Sequence, residues 1–258
     1  MNNISVKNIF GIFTGVIKTN PKKFLVMSII SLLFGILILK DGMNPINIIA
    51  YSILGVAFFL SELVIVVEAT NMYYKNRKPL NFEKISGILE KKLKKALILF
   101  ASKSYLIILV LILMCMPMAI VVAFLGPSLS GIKLFFYLML FSIFTIPVII
   151  LEIFIGYSLQ FYLLNGNNLN NSYSNSRFLH KIDKKLNFSI GMKLYSFYYY
   201  MIFLSFVFAK VTLILGALFF TFNYMFYIVA STVVYFELIK GNEELFDENN
   251  SDMWEEDF

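Results

Sequence analysis

Six long apolar stretches, separated by short polar connections, fill most of this chain. About 20 consecutive apolar residues allow a helix to cross the hydrocarbon core of a bilayer. The pattern therefore predicts an all-α, polytopic membrane protein with six transmembrane helices, which form one domain over residues 1–240. The stretches run from Phe24 to Leu39, Ile46 to Val67, Leu97 to Phe124, Ile132 to Leu164, Phe188 to Ala209 and Val211 to Leu238.

The third, fourth and sixth stretches are longer than a bilayer requires. Helices of that length must tilt, kink or emerge from the membrane. Proline removes a backbone donor and its ring clashes with the preceding turn, so Pro117 and Pro147 are the predicted kink sites.

The two ends of the chain differ from the apolar stretches and from each other. Residues 4–20 place apolar side chains at helical spacing with Lys7 and Lys18 off that face, which predicts an N-terminal interfacial amphipathic helix that ends at Pro21. Residues 241–258 hold eight acidic residues and no basic one. This composition predicts an acidic, solvated cytoplasmic tail, with docking onto the chain's own basic loops or onto a partner as the alternative.

The distribution of Lys and Arg among the connections predicts how the chain is oriented across the membrane. Positively charged loops stay in the cytoplasm. Residues 75–95 hold eight Lys and Arg and residues 165–187 hold four, whereas the alternate connections hold only Lys40, Lys133 and Lys210. We therefore expect a multi-pass membrane protein with both termini in the cytoplasm.

The composition and charge of the chain indicate which kinds of partner it is expected to bind. Only 15% of the residues are charged, against about 25% in soluble domains. The net charge of +6 comes from Lys residues beside apolar stretches, where anionic lipid head groups, and not nucleic acid, are the expected partners. The candidate surface for lipid or a partner protein consists of Lys91, Lys92, Lys94 and Lys95.

The same order of segments occurs three times along the chain. A basic amphipathic segment leads into an outward helix, a short outer turn follows, and the returning helix carries a carboxylate toward its inner end. This order predicts three repeated hairpins, a common way to build membrane proteins. The carboxylates are Glu62 and Glu68, then Glu152, then Glu237.

Glu62 and Glu152 are the candidate intramembrane polar site. A carboxylate within a span costs roughly 2.5–3.5 kcal/mol to insert and therefore favours a functional interpretation, such as a path for protons or cations. The alternative is structural: each could pair with Lys103 or Lys193, or extend its carboxylate to the cytoplasm.

No catalytic, cofactor-binding or metal-ligating residue is predicted. The chain has no P-loop, GxGxxG or GxSxG motif, and its single histidine, His180, is expected to be a solvated residue of a Lys-rich loop. Consecutive soft ligands at Met114–Met118 suit Cu(I), but neighbouring helix residues point in different directions, so apolar packing is the favoured interpretation.

The opening segment carries a resemblance. Asn20-Pro21-Lys22-Lys23 after an amphipathic helix, and Pro147 with Glu152 in the fourth stretch, resemble a group of uncharacterised six-span bacterial membrane proteins. The group includes the membrane domain found beside glycerophosphodiester phosphodiesterases and DUF975-like and DUF4013-like proteins. The resemblance implies six helices and a plasma-membrane location, and no established activity.

This pattern suggests two candidate functions. The first is a non-enzymatic accessory or transport-type component that aids export of, or immunity to, a peptide or lipid-like substrate. The second is a permease subunit of the ABC-2 type, because the six-span topology of this chain is similar to that of such subunits. In this interpretation residues 81–95 contact a separate ATPase. A lipid-modifying enzyme is a weaker alternative, because no acid, base and nucleophile are clustered in the sequence.

Overall fold

A computed structural model describes residues 6–39, 45–125, 145–182 and 184–240. Every regular element within these ranges is a helix, as predicted. The helices are α1 (Val6–Thr19), α2 (Pro21–Leu39), α3 (Pro45–Asn76), α4 (Ile85–Leu125), α5 (described over 145–155), α6 (Ser158–Leu164), α7 (Leu169–Ile182), α8 (Lys184–Val211) and α9 (Leu213–Ile239), with a 3-10 turn at Phe82–Lys84. The acidic tail, 241–258, and the outer turns at 40–44 and 126–131 lie outside the described residues.

Three segments of the described helices are long and apolar enough to cross a membrane. They are Ile53–Asn76 in α3, Thr145–Leu164 in α5 and α6, and Ile214–Ile239 in α9. These segments correspond to the second, fourth and sixth predicted spans, the returning helices of the three proposed hairpins. Their number and character are typical of a membrane protein, while six spans stay a prediction.

Helix α9 lies at the centre of the bundle. It packs against α1, α2, α3 and α8. Residues 228–235 are buried without interruption, so this part of the helix has no solvent-facing side. A helix that is apolar all round is stable only when it is surrounded by other apolar groups, which is why the other helices pack around α9.

Helix α1 is amphipathic and its apolar face packs on the bundle. Phe13 and Val16 are buried against α3 and α9, and the Phe13 ring meets the Phe226 ring edge-on at 5.3 Å between centroids. The predicted amphipathic helix is confirmed, and its inner face is covered by protein. Its interfacial position stays a prediction.

The chain connections meet at one end of the bundle. The turn between α1 and α2 contacts the α3–α4 connection, which in turn lies near the α6–α7 turn and the last turns of α9. Four contacts hold this end together: Asn20 to Leu80, Lys95 to Gly166, Tyr235 to Asn165, and Tyr74 to Glu237. Both basic connections of the sequence are thereby brought to the same end.

The structure places two local features differently from the sequence analysis. The interruption of the fourth apolar stretch lies at residues 156–157, between α5 and α6. Pro147 belongs to the first described turns of α5, so a kink there stays a prediction. His180 is not a solvated loop residue, because residues 169–182 fold into α7 and bury the imidazole.

Candidate functional site

A cavity of ≈ 390 Å³ lies among α3, α4, α5–α6, α8 and α9. Most of its wall is apolar, which follows from the apolar faces that these helices turn toward one another. The apolar part of the wall includes Val56, Phe59, Ile107, Ile202 and Phe220. Such a volume is within the range of about 300–1,000 Å³ that is typical of small-molecule sites.

One ion pair forms part of the cavity wall. Lys103 of α4 donates to Glu152 Oε2 of α5 at 3.2 Å, and both side chains are mostly buried. The same ammonium donates to the Gly156 carbonyl at 3.4 Å. Glu152 was predicted as a candidate polar residue with Lys103 as a possible partner, and the structure makes this pair.

The Lys103 contact belongs to a larger arrangement at the helix interruption. Where a helix is interrupted in a buried position, the freed carbonyls need hydrogen-bond partners. The Phe154 carbonyl accepts from Ser176 of α7 at 3.0 Å, and the Ile155 carbonyl accepts from Ser158 at 2.6 Å. Together with Lys103 at Gly156, side chains from three helices stabilise the break.

Gly156 is required by close packing at the same point. A Cβ atom built at this position would overlap the hydroxyl of Tyr195 on α8 and the carbonyl of Glu152. The absence of a side chain therefore lets α8 approach the interrupted helix.

Gln160 is a polar residue of the wall that the sequence analysis missed. It is 1% exposed and its Nε2 donates to Ser231 Oγ at 3.2 Å and, more weakly, to Thr232 Oγ1 at 3.5 Å on α9. Its Oε1 has no hydrogen-bond partner among the described residues. A glutamine within an apolar stretch was the signal that could have identified it.

Tyrosines form the side of the cavity that α8 and α9 supply. The rings of Tyr198 and Tyr227 stack at 4.1 Å between centroids, and both line the cavity. Tyr224 donates to the Phe59 carbonyl at 2.7 Å. Glu152 lines the same cavity as Tyr198 and Tyr227. Phenols supply both ring faces and hydroxyl groups, which suits contact with an amphipathic molecule.

The described lining contains one carboxylate, that of Glu152, and neither histidine nor cysteine. Among the described residues, no group of three His, Cys, Asp or Glu side chains is arranged to hold a metal ion. The side chains that surround this cavity are suited to binding a molecule by its shape and hydrogen bonds.

Glu62, the other predicted carboxylate, lies apart from this lining. It is buried on α3. Glu152 lines the cavity, and a single site that contains both Glu62 and Glu152 stays a prediction.

The four lysines of the predicted basic surface divide into two pairs. Lys91 and Lys94 are exposed on α4. Lys92 forms an ion pair with Glu68, and Lys95 lies 5.2 Å above the centre of the Tyr162 ring. Of the four lysines, Lys91 and Lys94 are the two that are exposed in the part of the chain that the structure describes.

His180 lies outside the cavity, on α7. Its ring meets Phe154 edge-on at 4.6 Å between centroids. Burial, and secondly the nearby positive charge of Lys184, lowers the pKa of His180 below its ordinary value. The neutral imidazole is therefore the form that the folded chain favours.

No protein-family model matches this chain, and no curated protein or solved structure matches it. The resemblance to the six-span bacterial group therefore stays a prediction.

Proposed function

We propose that this chain is a non-enzymatic, six-span protein of the bacterial cytoplasmic membrane that takes an amphipathic molecule into the cavity. It would act as an accessory or transport-type component for a lipid-like or peptide substrate. The observation that carries this proposal is the apolar cavity with the Lys103–Glu152 pair and Gln160 in its wall. Apolar pockets with a few fixed polar groups are typical of ligand sites.

The depth of the cavity agrees with this proposal. Tyr198 of α8 and Tyr224 of α9, which both line the cavity, lie about 20 Å of helix rise from Lys184 and Ile239, the helix ends beside the connections. A hydrocarbon core is about 30 Å thick. In a six-span arrangement the cavity would thus open within the membrane, where amphipathic molecules concentrate.

Exposed apolar side chains support six spans. Besides the three segments that meet the length and composition required of a span, α2, α4 and α8 also direct large apolar residues outward. Examples are Leu25 and Ile29 on α2, Ile108 and Ile112 on α4, and Phe197 and Val207 on α8. Apolar surface of this extent indicates contact with lipid or another apolar partner.

The proposed orientation can be tested by cysteine labelling. With Cys115→Ser as background, a cysteine at Lys78 should react with a membrane-impermeant maleimide only after the cells are opened. A cysteine at Gly42 should react in intact cells. The reverse pattern would overturn the orientation.

The binding function can be tested with two neighbouring substitutions. Ile107 lines the cavity, whereas Ile108 is 53% exposed on the outer face of α4. We expect mass spectrometry of an organic extract to find an amphiphile bound in about equal amounts to the native protein and Ile108→Trp, and to find it lost from Ile107→Trp. An extract without such a molecule, or Ile107→Trp that retains it, would contradict the proposal.

An ABC-2-like permease is the second candidate. The observation in its favour is that a 3-10 turn at Phe82–Lys84 leads into α4, which exposes Lys91 and Lys94 and leaves both side chains accessible to a separate ATPase. We expect such a protein to co-purify with an ATPase, and Lys91→Glu/Lys94→Glu to release it. Isolation of an active protein free of any ATPase would exclude this candidate.

A further inference from the structure

We propose that the acidic tail, residues 241–258, docks on the exposed surface of α4 that Lys91 and Lys94 form, the α4 basic face. The tail lies outside the described residues, and its sequence supplies eight acidic residues and no basic one. A docked tail occupies the surface that anionic lipid or a separate ATPase could otherwise contact, and it thereby controls access to that surface.

The α4 basic face carries positive charge that its own chain does not neutralise within the described residues. Lys91 and Lys94 are three residues apart, so their exposed side chains lie on the same face of the helix. Lys92 pairs with Glu68, whereas in the described part of the chain neither Lys91 nor Lys94 forms an ion pair. The exposed Glu90, one turn before Lys94, leaves the surface net positive. An anionic segment that lies across both lysines is therefore attracted to it.

The end of α9 lies beside this part of α4. Tyr235, in the last turns of α9, donates to Asn165 Oδ1 at 2.9 Å. The carbonyl of the next residue, Gly166, accepts from Lys95 of α4 at 3.5 Å. Two hydrogen bonds and one short turn thus connect the two helices. Because α9 ends at Ile239, the tail begins at the same end of the bundle as the α4 basic face.

The tail is long enough to reach the α4 basic face. An extended chain spans about 3.3 Å per residue, so residues 241–258 can reach up to about 60 Å from the end of α9. The route from Tyr235 to Lys95 comprises only two side chains, two hydrogen bonds and one peptide unit. Acidic residues throughout the tail can therefore contact the two lysines.

The charge of the tail favours this surface over the membrane and over a separate protein. In the proposed orientation the tail faces the cytoplasmic leaflet, whose negative surface potential repels its eight carboxylates. Single exposed ion pairs contribute little. A segment joined to the same chain, however, is present at an effective concentration of about 1 mM, so weak contacts are sufficient.

The test measures how fast a cysteine on the α4 basic face reacts with uncharged N-ethylmaleimide in the full-length protein, purified in a nonionic detergent. With Cys115→Ser as background, Gly87→Cys supplies the cysteine. Gly87 lies one turn before Lys91, and a Cβ atom there meets nothing within 4 Å. In the matched variant all eight tail acids become their amides. We expect the neutral tail to raise the labelling rate at least about twofold, since a tail docked half of the time blocks half of the reaction.

Charge reversal assigns this protection to the two lysines. Lys91→Glu/Lys94→Glu should abolish the difference between the acidic and the neutral tail. Lys18→Glu/Lys22→Glu changes the net charge equally at two other exposed lysines and should preserve it. Equal labelling with both tails, or loss of the difference in both reversals, would overturn the proposal. Protection by added phosphatidylglycerol, or protection lost on purification, that is the same with both tails would assign the surface to anionic lipid or to a separate protein instead.

Discussion

At the scale of single residues, Asn20 shows how a boundary motif becomes a tertiary contact. Its Oδ1 accepts from the Leu80 backbone N–H at 3.0 Å, and Lys23 donates to the Leu80 carbonyl. Leu80 is buried, so both of its backbone groups need partners. The Asn-Pro-Lys-Lys sequence thus connects the α1–α2 turn to the α3–α4 connection and does more than end a helix.

Asn20→Ala should destabilise the protein by about 1–3 kcal/mol, because it leaves the Leu80 N–H buried without an acceptor. The measurement is the free energy of unfolding in mixed micelles titrated with a denaturing detergent. Lys22→Ala is the control, since Lys22 is exposed beside it. Equal effects of the two substitutions would contradict this role of Asn20.

His180 gives the chain a pH-dependent stability. Its pKa in the folded protein is lowered by burial and by Lys184, while the unfolded chain has the ordinary value of about 6.5. Below about pH 6.5 the unfolded state binds the proton first, so stability should fall as pH decreases and level off below the folded pKa. Melting temperatures between pH 7.5 and 5 would test this. In His180→Gln the decrease should be smaller, and an unchanged decrease would exclude His180 as its source.

At the scale of elements, the interruption between α5 and α6 is the decisive feature. It occurs inside one apolar stretch and is stabilised by side chains of α4, α6 and α7. The residues that stabilise it also line the cavity, because Lys103, Glu152 and Gly156 belong to both. The shape of the cavity therefore depends on the interruption between α5 and α6 keeping one fixed geometry.

A double-mutant cycle on Lys103 and Glu152 should reveal their coupling. Removing one partner of a buried ion pair costs about 3–5 kcal/mol, since the other charge loses its compensation. Lys103→Met and Glu152→Gln should each be destabilising, and the double variant should lose less than the sum by about 1–3 kcal/mol. The measurement is the free energy of unfolding, and strictly additive losses would show that the two residues do not interact.

At the scale of the whole molecule, the fold is organised around α9. Helices α1, α2, α3 and α8 each pack on it, and the short N-terminal helix is part of this assembly. Phe13 on α1 is 3% exposed, whereas Phe10, one turn earlier, is 49% exposed. The N-terminal helix therefore contributes to the stability of the bundle.

Phe13→Ala should lower the free energy of unfolding by about 3 kcal/mol, as loss of a buried phenylalanine does. Phe10→Ala should lower it by less than about 1 kcal/mol, since half of that side chain is already outside the core. Thermal unfolding of the purified protein in one detergent would compare them. A similar loss for both would indicate that α1 does not pack on α9 in the folded protein.

The helical class, the three segments that are long and apolar enough to cross a membrane, and the amphipathic α1 could all be predicted from the sequence. Hydrophobic periodicity and the length of an apolar run are local properties of the sequence, and both indicate helices directly. The Lys103–Glu152 pair was among the predicted pairings, because a carboxylate within an apolar stretch needs a cation nearby.

Which polar residues lie together around one cavity follows from the packing of the helices and could not be predicted from the sequence. Gln160 of α6 donates to Ser231 and Thr232 of α9, His180 is buried on α7, and Glu62 is not among the described residues that line the cavity with Glu152. Such relations depend on the rotation of each helix about its axis and on where α5 gives way to α6. Those quantities are set by packing between residues far apart in the chain, which no local pattern encodes.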